Sequence, residues 1–575
     1  MRFGAVPAAG GQALHQRERD NFRIAHELPD LRGECVSGGR SLTCFDDGCS
    51  LRLLRPLGGT VLRKLGLALL LAAGLLAPVG ALEAAPGTTV RVSVASDGSE
   101  GNGTTYGGGI SADGQVAVFN SAATNLVAND SNSESDVFVR ELPAGPTGRV
   151  NVSGGGAEAN GFSVGGTISA DGRFVAFTSG ASNLVENDTN GAFDVFRHDR
   201  LTGETTRVSV DNLGAETPWY SYLAHMSGDG RYVTFHNTSQ VYVRDVLGGF
   251  TEMVSVNQAG DPGNAGSLGG SVSADGRFVA FQSYATNLTP VDNPYIDVFV
   301  RDRIGGTTEL VSVTGGSGQH NDSIGGGITP DGRFVLFTSN STRIIGGDAD
   351  LTRDAFVRDR QTGTTTLITV TSDENPITYE SYGESISDDG RFVTFYTDAP
   401  DVVPGDTNGK LDGFVRDVLR GITTRLSVTS AGVQASDHSS GGQLTADGRA
   451  TGFVSYASDL TEGDTNGVRD LFIHYQSDSD NDGYWDGADN CPLNTNADQT
   501  DVDGDVAGDA CDGSGSGNVD CSGPLNGVSA VDALKVLRFS AGLAVSQSEP
   551  CLDIGTPRHR RLPTGRWGTW TAQAR

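Results

Sequence analysis

Between Thr88 and Tyr475 the chain contains no cysteine. Disulfide stapling, thiolate catalysis and thiolate metal binding are therefore excluded from that stretch, and packing alone must stabilise it. Basic residues are scarce: 41 Lys and Arg face 71 Asp and Glu, a net charge of −30. That balance argues against a nucleic-acid partner, which needs clustered cations, and toward a cation binder or a soluble extracellular protein. Catalytic strings are wanting too. There is no His-Glu-x-x-His zinc helix, and no nucleophile elbow is recognised. His198, His225, His236, His320, His438 and His474 read as unrelated positions. A sugar-cleaving carboxylate pair would meet only in three dimensions, so no catalytic residue is assigned.

Long apolar runs are confined to Leu65–Val79, which follows Arg63 and Lys64 and precedes Val79-Gly80-Ala81. Basic, apolar and small residues in that order predict a signal peptide over 61–81, too short for a membrane span. The product is expected outside the cell or on its surface, and residues 1–60 read as a doubtful extension. Cys35, Cys44 and Cys49 lie upstream. The other four, Cys491, Cys511, Cys521 and Cys551, fall together near the C-terminus and read as two disulfides. Three pairings are open; Cys491–Cys511 with Cys521–Cys551 is the local one.

Glycine, by contrast, is abundant at 81 residues, without a collagen period. The segment Ile168-Ser-Ala-Asp-Gly-Arg-Phe-Val-Ala-Phe177 recurs, its Asp-Gly turn returning at Asp113, Asp171, Asp229, Asp275, Asp331, Asp389 and Asp447. Downstream, Asp297-Val-Phe-Val-Arg301 and Thr423-Thr-Arg-Leu-Ser-Val428 typify two further recurring elements. Each is β-branched and aromatic, bounded by turn dipeptides, so each unit holds four antiparallel strands. The array opens on a fourth strand, Thr88–Val94, and closes on a third, Asp470–His474. Joined, they complete one sheet and remove the free edges. The fold expected over 88–475 is an all-β, seven-bladed propeller with a split closing blade. The Ser-Ala-Asp-Gly-Arg-Phe-Val-Ala-Phe pair resembles the TolB-type, WD-repeat-like propeller family. Its members are often six-bladed and functionally diverse, so the resemblance implies a fold and no activity.

The loops after the second strand carry oxygen donors at alternate positions: Asp188, Asn190 and Asp194; Asp406, Asn408 and Asp412; Asp464, Asn466 and Asp470. They fit either a hard cation or plain turn chemistry. The third repeat lacks this loop and carries Trp219, Tyr220, Tyr222 and His225, read as packing around the gap or as a sugar-binding surface.

Residues 478–512 hold eleven Asp and no Lys or Arg. Asp478-x-Asp480-x-Asp482-Gly483 has the alternation and turn that Ca²⁺ prefers. The run resembles a thrombospondin type 3 repeat, which implies calcium on Asp478, Asp480, Asp482, Asp486, Asp489, Asp501, Asp503, Asp505 and Asp509. Over 517–554, the oxygen-rich loop Gly517–Gly523 and an expected short amphipathic helix from Val531 to Phe539, with Val531, Leu534 and Leu537 on one face, resemble half a dockerin module. That implies further ligands at Asn518, Asp520 and Ser522, and a cohesin-like partner. Residues 555–575 form a basic tail of doubtful origin. Three functions follow as expectations: a non-catalytic surface or matrix adhesion module, a polysaccharide-associated protein, or a propeller hydrolase or lyase. Calcium is the only cofactor expected.

Overall fold

The computed structural model describes residues 87–290, 294–313, 321–346, 351–480, 482, 484–486, 489–497, 499–501 and 508–512. Within them lie seven four-stranded antiparallel sheets and one helical turn, α1 (Asp509–Asp512). Blade 1 is β2 (Thr105–Ile110), β3 (Val116–Ser121), β4 (Asp136–Glu141) and β5 (Thr147–Arg149). Blade 2 is β6 (Ser163–Ile168), β7 (Phe174–Ser179), β8 (Asp194–Asp199) and β9 (Glu204–Arg207). Blade 3 is β10 (Tyr222–Met226), β11 (Tyr232–His236), β12 (Val241–Asp245) and β13 (Phe250–Met253). Blade 4 is β14 (Ser267–Val272), β15 (Phe278–Ser283), β16 (Asp297–Asp302) and β17 (Thr307–Leu310). Blade 5 is β18 (Ser323–Ile328), β19 (Phe334–Ser339), β20 (Asp354–Asp359) and β21 (Thr364–Leu367). Blade 6 is β22 (Ser381–Ile386), β23 (Phe392–Thr397), β24 (Asp412–Asp417) and β25 (Ile422–Arg425). Blade 7 is β26 (Ser439–Ser440), β27 (Ala450–Ser455), β28 (Asp470–Tyr475) and, from the start of the array, β1 (Thr89–Arg91).

The ring closes as the sequence predicts. Thr89 pairs with His474 and Arg91 with Phe472, and Ser93 Oγ donates to Asp470 at 2.5 Å. Each blade is centred on a stacked aromatic pair from its second and third strands, such as Phe177–Phe196 at 5.8 Å and Phe395–Phe414 at 5.4 Å. Blade 3 substitutes Phe235–Tyr242. Valines of one blade pack against the aromatics of the next, as Val116, Val118 and Val137 do with Phe177 and Phe196. The core is thus seven interfaces in a ring.

The Asp-Gly turns join the strands and also the blades. Asp171 accepts from Ser169 Oγ at 2.7 Å and from Arg173 N at 3.0 Å. In the equivalent turn of blade 5, Gly332 has φ +75°, and a Cβ there would lie 2.3 Å from Phe278 of blade 4. Only glycine satisfies both the left-handed backbone and that approach. The arginine after the turn forms a two-pronged ion pair with the last residue of the third strand: Arg173–Asp199, Arg231–Asp245, Arg277–Asp302, Arg333–Asp359 and Arg391–Asp417. Since Phe395 is fully buried, Phe395→Ala should cost about 3–5 kcal/mol, read as a lowered urea midpoint.

Candidate functional site

Strand alternation gives the ring two faces. The loops between second and third strands, and the links from one blade to the next, emerge on the upper face. The Asp-Gly turns and the turns between third and fourth strands emerge on the lower face.

On the upper face the oxygen-rich loops form buried acidic clusters, each built around an arginine from the fourth strand. Asp194 opens β8; its Oδ1 accepts from Ser209 at 2.6 Å and its Oδ2 from Asn190 Nδ2 at 3.0 Å. Asn190 also donates to Thr217 O and caps Ala192 N. Arg207 reaches Glu216 at 2.6 Å, Asp188 at 3.4 Å and Asp194 at 3.7 Å. Blade 7 repeats the plan with Arg91 among Glu100, Asp464 and Asp470, and with Asn466 on Asp470. Blade 6 replaces the glutamate by Gln434, which donates to Asp406 and Asp412, while Arg425 reaches both and Asn408 donates to Asp412. Blade 1 has the same group in Asp130, Asp136, Glu158 and Arg149. The oxygens of Asp130–Asp136–Glu158 and of Asp188–Asp194–Glu216 lie close enough together to hold a metal ion. The arginine in each already supplies a counter-cation. Burial, and then the charge of Asp136, push Asp130 up to about 6 despite Arg149; burial likewise takes Asp464 to about 6.

The first strands line the central channel, and successive ones pack against each other. Of these, β2, β6, β14, β18 and β22 carry glycine, and three larger polar side chains stand among them. His225 on β10 occupies a position that is Gly109 on β2 and Gly327 on β18, and Gln443 occupies it in blade 7. Glu384 on β22 stands where β2, β6, β14 and β18 carry glycine. Burial lowers His225 to about 4, and its Nδ1 has no hydrogen-bond partner among the described residues. Glu384 is open to channel water, yet enclosure by protein takes its carboxyl up to about 7.

Around the upper mouth stands a rim of exposed aromatics. Trp219 is 43% exposed and Tyr220 50%, while Tyr222 packs at 5.7 Å on His236, which opens the shortened loop of blade 3. Phe193 holds Phe162 at 6.4 Å, Tyr220 at 5.7 Å and Tyr222 at 6.0 Å across the junction of blades 2 and 3. Arg469 bridges Tyr106 and Tyr456 across blades 7 and 1. Tyr382 stacks on Tyr396 at 5.2 Å, with Arg353 over its ring. Sequence reading found only the blade 3 members, because Trp219, Tyr220 and Tyr222 lie close together in the chain whereas the others stand apart in it.

The acidic tail leaves β28 on the lower face. Oxygens of Asp478, Asp480 and Asp482 converge within metal-holding distance. Asp489 is buried nearby, and one oxygen each of Asp480 and Asp489 is buried without a hydrogen bond. Asp480 is pushed up by burial and then by the charges of Asp482, Asp489 and Asp478. Asp486 instead accepts from Ser479 N and Oγ at 2.7 and 2.8 Å. Between them Trp485, 8% exposed, enters a cluster with Phe392, Val415, Leu426 and Leu444. Its ring lies 4.5 Å from Phe392, and its Nε1 donates to Asp447 O. A disulfide joins Cys491 and Cys511. The side chains of Asp503, Asp505 and Asp509, residues Asn518, Asp520, Ser522, Cys521 and Cys551, the signal peptide and the dockerin-like half lie outside the described residues.

Two sequence readings need correction. His198 and His474 are equivalent, each fifth in a third strand. Their Nδ1 atoms meet Thr205 and Thr89 hydroxyls at 2.9 Å, as Arg140 and Arg416 meet Thr147 and Thr423 in other blades. Position within the strand, rather than residue type, was the missed signal. Gly161-Phe162-Ser163-Val164-Gly165 does have elbow spacing. Ser163, however, is buried at the start of β6, donates to Ser179 and accepts from Asn151. It serves strand pairing.

Comparison with protein-family models and with curated proteins gives no match. Among solved structures, the chain is similar to a TolB candidate from Agrobacterium tumefaciens, at 18% identity over 46% of this chain and 80% of that one, TM-score 0.30. It is also similar to the β-propeller domain of the Trilobed protease from Pyrococcus furiosus, which has an open velcro topology, at 11% identity over 65% and 95%, TM-score 0.41. A third is an oligogalacturonate lyase in complex with manganese, at 15% identity over 68% and 98%, TM-score 0.41. The propeller assignment rests on this chain's own seven sheets.

Two outcomes follow. Asp130 has a folded-state pKa above its unfolded value, so its ionisation opposes folding as pH rises through that interval. Asp130→Asn should therefore melt higher than the parent at pH 8, with the gain gone at pH 4. Trp485→Ala should lower the melting temperature through the lost lower-face cluster and raise protease nicking between 478 and 490.

Proposed function

We propose that this chain is an exported, calcium-binding and non-catalytic propeller, acting as a surface or matrix binding module. The observation that carries the reading is the convergence of Asp478, Asp480 and Asp482 beside buried Asp489, in a segment without Lys or Arg. Alternate carboxylates repel each other until a hard cation neutralises them, and oxygen-only ligands at this spacing favour Ca²⁺. Extracellular modules of this kind bind at about 10⁻⁴–10⁻³ M. Because Trp485 lies inside the same loop, calcium would also fasten the tail to blades 6 and 7. The tail is then a clasp on the lower face, which leaves the upper face free for a partner.

Calorimetric calcium titration of the exported chain should show saturation in that range. An Asp480→Asn/Asp482→Asn variant should lose at least one equivalent. Asp188→Asn/Asp194→Asn should keep the stoichiometry. Unchanged binding in the tail variant would contradict the reading.

A further inference from the structure

We propose that the upper mouth of the channel is a binding site for a neutral glycan chain. The inference rests on the reading of the propeller as a binding module and names its partner class. The two faces differ in their exposed side chains. The upper mouth shows rings: Tyr106 at 51%, Trp219, Tyr220, Tyr284 at 48% and Tyr456 at 49%. Exposed aliphatics such as Leu201, Leu247 and Ile304 lie on lower-face turns; Leu351, between β19 and β20, is an exception above, and Phe250 one below. A rim in which rings outnumber aliphatics, each ring with a polar edge, suits the C–H faces and hydroxyls of a sugar.

The fold does not require these rings. Tyr284 follows the second strand of blade 4, where blades 1, 2 and 5 carry Ala122, Gly180 and Asn340. Trp219 stands where blade 2 has Gly161 and blade 4 has Ala265. Sibling blades fold without them, so another demand keeps them there. They are also held in place, Tyr220 by Phe193, and Tyr106 and Tyr456 by Arg469. Rigid platforms lose little entropy on binding. Gln443 and Glu384 add hydrogen-bonding groups exposed in the channel below.

Charge selects among glycans. Three upper-face clusters each set three carboxylates against one arginine: around Arg91, Arg149 and Arg207. The face is therefore negative and repels uronate chains.

The test is affinity electrophoresis of the exported chain in gels with hydroxyethylcellulose, xylan, galactomannan or polygalacturonate. At least one neutral polysaccharide should retard it and polygalacturonate should not. Trp219→Ala/Tyr220→Ala should weaken retardation about tenfold, whereas Leu247→Ala and Asp480→Asn/Asp482→Asn should not weaken it. No retardation by any neutral chain, equal retardation of the aromatic variant, or preference for polygalacturonate would each overturn the assignment. Release of reducing ends from any of the four would instead overturn the non-catalytic reading beneath it.

Discussion

Both faces of this molecule depend on one short pairing, β1 against β28. Six blades are made from consecutive strands, but the seventh borrows its outer strand from the start of the array. Ser93 and Arg91, just after or within that strand, supply the hydroxyl and guanidinium that Asp470 meets in blade 7. The same closure brings Arg469 to the backbone carbonyls of Thr105 and Tyr106, more than 360 residues away in sequence. Open the ring and the mouth loses its rim at blades 7 and 1. Thr89 and Ser430 also exchange bonds across blades 7 and 6, so closure is shared by the blade beneath which the tail docks.

Much of this architecture could be read from the residues alone. The Asp-Gly turns mark every blade because left-handed glycine and a self-capping aspartate are local chemistry. The split blade followed from counting strands. Local pairing likewise anticipated Cys491–Cys511. What escaped were contacts between repeats. Nothing near Asp188 and Asp194 in sequence announces that Arg207 enters their loop, since the arginine comes from the next strand. Trp485 sits in what reads as a metal loop, and its role in a blade interface depends on Phe392 and Asp447, distant in the chain. The aromatic rim is the extreme case: Tyr106, Tyr222 and Tyr382 share one strand position and Tyr284 and Tyr456 another, but sibling blades carry other residues there, and only the circular arrangement gathers the rings.

A division of labour between the faces results. Beneath, the acidic tail is gathered by a disulfide and anchored by a tryptophan. Above, the acidic groups have arginine counter-charges of their own, and the rings are free. The blade clusters and the tail cluster look alike as strings of aspartate and asparagine. They differ in where the guanidinium comes from: each of the four blade clusters has one from its own fourth strand, whereas the tail offers no cation of its own and meets Arg420 of blade 6, which donates to Asp486 O.

Hydrogen exchange of the chain with and without calcium tests that division most directly. Protection should rise in 478–501 and at the lower-face turns near Phe392 and Asp447, and stay unchanged in the upper loops around Asp130, Asp188, Asp406 and Asp464. Calcium-dependent protection of those upper loops, with none in the tail, would contradict it.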